Sequence, residues 1–151
     1  MKKFNFSLDK VLNFTLFKEE QQKMVVLKIN NDLARERDIL DQLNKDCLQL
    51  KLDLNAKCAR KVTVSELITY SSYLNYLEKR IKATEATIAK LEEKLDSERQ
   101  KLSQLTKERK ILDKLKEKKY LEFWDQFLKE EQALLDEIAL NSAVRNHGMG
   151  R

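Results

Sequence analysis

The chain has 151 residues, of which 36% are charged and 42% hydrophobic, with 30 Lys and Arg against 25 Asp and Glu for a net charge of +5. This Leu-, Lys- and Glu-rich balance belongs to long helices and coiled coils, and it excludes a thick globular core. The basic excess is small and spread out, so it lacks the concentrated patch that nucleic-acid binding shows.

No stretch is apolar for long enough to span a bilayer. Lys2 and Lys3 are followed by Asp9, Lys10 and Asn13, which interrupt the apolar core a signal peptide requires, so a cytoplasmic location is expected. Proline is absent, and the two glycines are Gly148 and Gly150. From Met1 to His147 nothing breaks a helix while apolar residues recur every three or four positions. The length suits one domain, 1–151, made of elongated helices that each bury a stripe.

The first helix is predicted over about residues 5–58. Written as heptads, Leu12, Val26, Leu33, Leu40, Cys47 and Leu54 fall at a, and Leu8, Ile29, Leu43 and Leu50 at d. Thr15, Glu19, Gln22 and Glu36 are polar gaps in that seam. Cys47 on the seam reads as a small buried hydrophobe. It is on the order of 16 Å from Cys58 along one helix, too far for a disulfide or a short metal motif.

The frame stops at Lys57 and Lys61, which places a hinge at about 59–63. Thr63-x-x-Glu66 has the form of a capping box and starts a second helix over about 64–145. Leu67, Leu74, Ile81, Ile88, Leu95 and Leu102 take a, while Tyr70, Leu77, Leu91, Leu105 and Leu112 take d; Thr84 and Glu98 are polar d positions. After Leu105 the frame loosens: Arg109 lands on a, and a shifted stripe of Tyr120, Trp124, Phe127, Leu134 and Ile138 takes over.

Neither helix buries its seam alone, and the short hinge folds the second back on the first. The predicted fold is all-α: two long helices in an antiparallel coiled-coil hairpin, with Phe4 near Tyr120 and the second helix projecting beyond the first. The projecting arm carries Trp124, Phe127, Leu134 and Ile138 as an exposed apolar band of the kind that marks an interaction site. Cover by Phe4, Phe6, Phe14 and Phe17, or by a second chain, is the alternative. Just before the band, Lys107, Arg109, Lys110, Lys114, Lys116, Lys118 and Lys119 outnumber the acids; within and after it, Glu122, Asp125, Glu130, Glu131, Asp136 and Glu137 surround Lys129. Adjacent blocks of opposite sign suit either a solvated face or an electrostatically oriented docking arm.

A two-helix hairpin has almost no concavity in which to hold reacting groups, so no catalytic, cofactor or metal site is expected. The one histidine, His147, lies in a tail expected to fray, and there is no phosphate-cradling glycine loop. The paired acids Glu19–Glu20, Glu92–Glu93 and Glu130–Glu131 point in different helical directions and read as solubilising. The chain is not expected to be an enzyme. A basic-region helix would carry Arg and Asn on one face, whereas here the basic residues are mostly Lys interleaved with acids, so no nucleic-acid partner is expected.

Phe4-x-Phe6-x-Leu8-x-x-Val11-Leu12, Tyr70-x-x-Tyr73-Leu74-x-x-Leu77-Glu78-x-x-Ile81 and Asp136-Glu137-x-Ala139, in this order and at these distances, resemble the FliJ family of the flagellar type III export apparatus. The resemblance implies an antiparallel coiled coil similar to the central stalk of rotary ATPases. Its terminal end would enter the ring of the export ATPase FliI, beside that enzyme's regulator FliH. It also implies contact with the export gate protein FlhA, escort of export chaperones, and a peripheral position at the inner face of the cell membrane.

By the local motif, gate contact is carried onto Tyr73 and Leu77, with seam packing as the competing role of Leu77. For the ATPase end the candidates are Lys114, Lys118, Lys119 and Arg145. A structural or dimerising coiled coil without an ATPase partner is the alternative, followed by a basic helical nucleic-acid binder.

Overall fold

The computed structural model describes residues 2–150. Two helices account for nearly all of them, α1 over Asp9–Cys58 and α2 over Val64–Gly148, packed against each other with no strand among the described residues. The fold is thus an all-α helical hairpin. The chain divides into two compact units, Glu19–Gln104 and Met1–Lys18 with Leu105–Arg151, and each helix contributes to both.

In the Glu19–Gln104 unit, the heptad seam is the buried stripe. Ile29, Leu33 and Leu95 form its core, 4%, 1% and 8% exposed, with Val26, Ile88 and Leu91 packed around them. Leu77 and Cys47 are buried in the same way, and both cysteines are free thiols. The polar gaps are buried or half-buried too, and Thr84, Gln22, Glu98 and Glu19 among them have partners. Thr84 donates its hydroxyl to the Arg80 carbonyl at 2.8 Å. Gln22 donates to both the backbone carbonyl and the carboxylate of Glu98, and the Glu19 carboxylate lies 3.6 Å from Lys23 Nζ. No buried side-chain nitrogen or oxygen among the described residues lacks a hydrogen bond, as the cost of leaving one unpaired in a thin core requires.

At the connection, Ala59 and Arg60 donate backbone amides to the carbonyls of Asn55 and Lys57, closing the last turn of α1. The turn needs no left-handed backbone. Thr63 then caps α2: its hydroxyl accepts the Glu66 amide at 3.3 Å and its carbonyl the Leu67 amide at 3.1 Å. Leu67, assigned to the seam by periodicity, is instead 44% exposed. The first turn of α2 lies past Leu54, the last apolar seam residue of α1, where the α1 residue set against α2 is Lys57, over the Tyr70 ring at 5.0 Å.

In the unit of Met1–Lys18 and Leu105–Arg151, α1 begins at Asp9, later than the expected start near residue 5. Residues 2–6 are non-helical, and Ser7 and Leu8 form a turn into α1. Phe6, Leu12 and Thr15 are buried against α2. The heptad of α2 also departs from expectation, since it continues without a shift: Arg109, Leu112 and Lys116 are half-buried on the seam, and the next a position is Phe123. Charged seam residues are tolerated because they are paired. Arg109 contacts Asp113 at 2.8 Å, and Lys116 reaches Asp9 on the other helix at 3.0 Å.

Candidate functional site

The residues singled out by sequence fall on three surfaces. Near the connection, Tyr73 and Leu77 do not share an environment. Leu77 is 2% exposed and belongs to the seam, whereas Tyr73 is 47% exposed and stacks on Tyr76 with ring centroids 6.2 Å apart. Tyr76, missed by sequence reasoning, extends the accessible surface: Arg80 donates to its hydroxyl at 3.4 Å, and both line an open groove with Lys79 and Thr87. A one-turn spacing of exposed tyrosines was the available signal.

The basic residues are likewise separated. Lys114 and Lys118 are exposed one turn apart on the outward face of α2. Lys119 is exposed as well and is paired with Glu122 at 3.2 Å. Arg145 is in the last turn of α2, where its charge complements the carbonyl end of the helix, and it is about 40 Å further along the axis than Lys118. These four do not form one patch.

The apolar band is divided in two. Trp124 and Phe127 belong to an aromatic cluster centred on Phe123, which periodicity would have found had Arg109 and Lys116 been accepted as seam residues. Phe123 contacts Trp124 and Phe127 at 6.5 and 6.4 Å, and Trp124 meets Phe127 edge-to-face at 5.4 Å. Phe4, from the segment before α1, packs on Tyr120 at 5.3 Å and on Phe123 at 5.6 Å. Phe127 is therefore half-buried, in place of the exposure expected of it, whereas Trp124 is 41% exposed, as expected. Of the other phenylalanines, Phe6 is buried, whereas Phe14 and Phe17 face solvent.

Lys2 closes the cluster by an ion pair with Glu130 at 3.1 Å. Hydrogen bonds from Gln126 and from Lys2 hold the Glu130 carboxyl below its ordinary range. Beyond this point the band is open. From Leu128 onward every described residue of α2 is exposed, including Leu134, Leu135 and Ile138 at 57–60%. Among the described residues there is no group of three metal-ligating side chains, and no helix is long and apolar enough to cross a membrane.

What the geometry presents is contact surface: stacked tyrosines at one place, an aromatic cluster at another, and an apolar helical arm. The profile of the family described as flagellar FliJ protein matches residues 4–148, nearly the whole chain. The chain belongs to the FliJ family. FliJ proteins are components of the flagellar export apparatus and are a structural rather than an enzymatic family, in keeping with a molecule built from seam and surface. Comparison with curated proteins and with solved structures finds no match to this FliJ chain.

Proposed function

We propose that this FliJ-family chain is a stalk-like strut of the export apparatus. Its α2 arm docks into the ring of the export ATPase FliI, acting beside the regulator FliH, and promotes ring assembly and turnover. Tyr73 engages the export gate FlhA, with Leu77 setting the helix position from within the seam, and the chain escorts export chaperones. It works in the cytoplasm, held at the inner face of the membrane through these partners.

The observation that carries this reading is the arm itself. A regular helix with Leu134, Leu135 and Ile138 all more than half exposed presents contiguous apolar surface that a partner would cover. The exposed Lys114 and Lys118, with Lys119 and Arg145, supply charge for orientation rather than for most of the affinity.

The test is the double variant Leu135→Glu/Ile138→Glu, whose side chains are 60% and 57% exposed. Its helicity and melting should match the parent, while co-elution with FliI falls about tenfold or more in affinity, as expected for loss of two apolar anchors. Parental co-elution would remove the arm as the docking surface. A parent that is dimeric and a variant that is monomeric, with no FliI complex from either, would instead establish the dimerising coiled coil.

A further inference from the structure

The segment before α1 is held differently from the rest of the fold. Residues 2–6 lie outside any helix, and Lys2 and Phe4 are held to α2 through an ion pair and ring contacts. Lys2 pairs with Glu130 at side-chain exposures of 74% and 46%, a contact of the kind worth little in water. Phe4 lies half-buried on Tyr120 and Phe123. Two residues later Phe6 is 5% exposed, and its carbonyl accepts the Asp9 amide at 3.1 Å. The anchoring of this segment to the start of α1 thus lies at Phe6, and the contacts of Lys2 and Phe4 are separate from it.

The surface beneath is larger than this occupant. A cleft of about 220 Å³ remains beside Phe4, lined by Lys2, Tyr120, Phe123, Trp124 and Phe127. Its far edge runs on past Lys2 to Glu130, Glu131 and Leu134. An aromatic floor with a carboxylate edge is suited to an apolar ring carried beside a cation, because rings pack edge-to-face and the carboxylates complement the charge.

We propose that the aromatic face of α2 from Tyr120 to Glu130 is a docking site for a short peptide segment carrying a Lys or Arg and, two positions on, an aromatic residue. The chain's own Lys2-x-Phe4 is its resident, displaceable occupant. The partner's chemistry follows from that occupant's contacts: cation on Glu130, ring on Tyr120 and Phe123. The site is closed by the chain itself until a segment of the same chemistry competes. This inference concerns the clustered part of α2 and does not rest on the ATPase reading of the arm beyond it.

Trp124, the single tryptophan, reports the site in the full chain. The probe is the synthetic peptide of residues 2–8, titrated into the parent, Phe4→Ala and Lys2→Glu; the last leaves every buried side chain in place. With its ring gone, Phe4→Ala should show red-shifted Trp124 emission and bind the peptide about tenfold more tightly than the parent, as for a site otherwise closed about nine-tenths of the time, and Lys2→Glu should shift the same way by a smaller factor, in keeping with an exposed ion pair. Binding should return the emission toward that of the parent, and Glu130→Lys added to Phe4→Ala should weaken it, most at low salt. Equal affinity for all three proteins, or no saturable change in either variant, would overturn the proposal. So would parental emission that depends on protein concentration, because the occupant would then belong to a second copy.

Discussion

Replacing Leu77 and Tyr73 separately by alanine divides the role of the seam from that of the surface within one helical turn. Leu77→Ala removes three carbons from a side chain only 2% exposed. At ~0.8 kcal/mol per buried carbon the transfer loss is about 2.4 kcal/mol, and the unfilled space adds to it. A two-helix seam is thin and can partly close over the gap, which keeps the total at about 2.5–4 kcal/mol, within the lower part of the range for buried leucines. Tyr73→Ala removes a half-exposed ring whose neighbour is Tyr76, 6.2 Å away. Its cost should stay below about 1 kcal/mol, the scale of one aromatic pair in water. Urea unfolding followed by helical circular dichroism reads both, with an unchanged slope as the condition for comparing them. The reasoning fails if the two losses are equal, or if Tyr73→Ala is the larger.

Two further perturbations test local features. Thr63→Ala should cost about 1 kcal/mol, the usual worth of an N-cap, and Thr63→Ser should restore most of it because the Glu66 amide regains its acceptor; an equal loss in both variants would show that the hydroxyl is not the cause. The Glu98 carboxyl is held below its ordinary value of 4.5 by hydrogen bonds from Gln22 and then Lys101. A depressed folded pKa gives stability that is complete above the unfolded value and is lost as the pH falls through the folded one. The difference in melting temperature between the parent and Glu98→Gln should therefore stay constant from about pH 7 to pH 5 and change only below about 4.5. A change confined to neutral pH would assign the dependence to other groups.

The seam was legible because a helix that must bury one stripe writes that stripe at a period near 3.5, and from Leu12 to Leu54 and from Tyr70 to Leu105 the apolar letters keep it. Polar members such as Thr84 and Gln22 were legible as positions but not as contacts, since their partners lie one turn back or across the hairpin. Phe123 was missed for a related reason. Arg109 and Lys116 interrupt the apolar pattern, and only the pairing of Lys116 with Asp9 on the other helix explains why the frame survives them. The start of α1 was read early because Phe4 and Phe6 fit a helical stripe as well as a non-helical segment laid on α2. Leu67 was assigned to the seam because periodicity registers a face and not the point at which the partner helix runs out.

The claim that matters most is that the open arm of α2 acts on the export ATPase. ATP turnover by purified FliI, at a concentration too low for ring formation, tests it most directly when measured with the full chain and with a chain ending after Glu131. Turnover that rises with the full chain and not with the shortened one, at equal helicity per residue, is the result expected of a docking stalk. Equal stimulation by both, or none by either while the enzyme is active alone at high concentration, would contradict it.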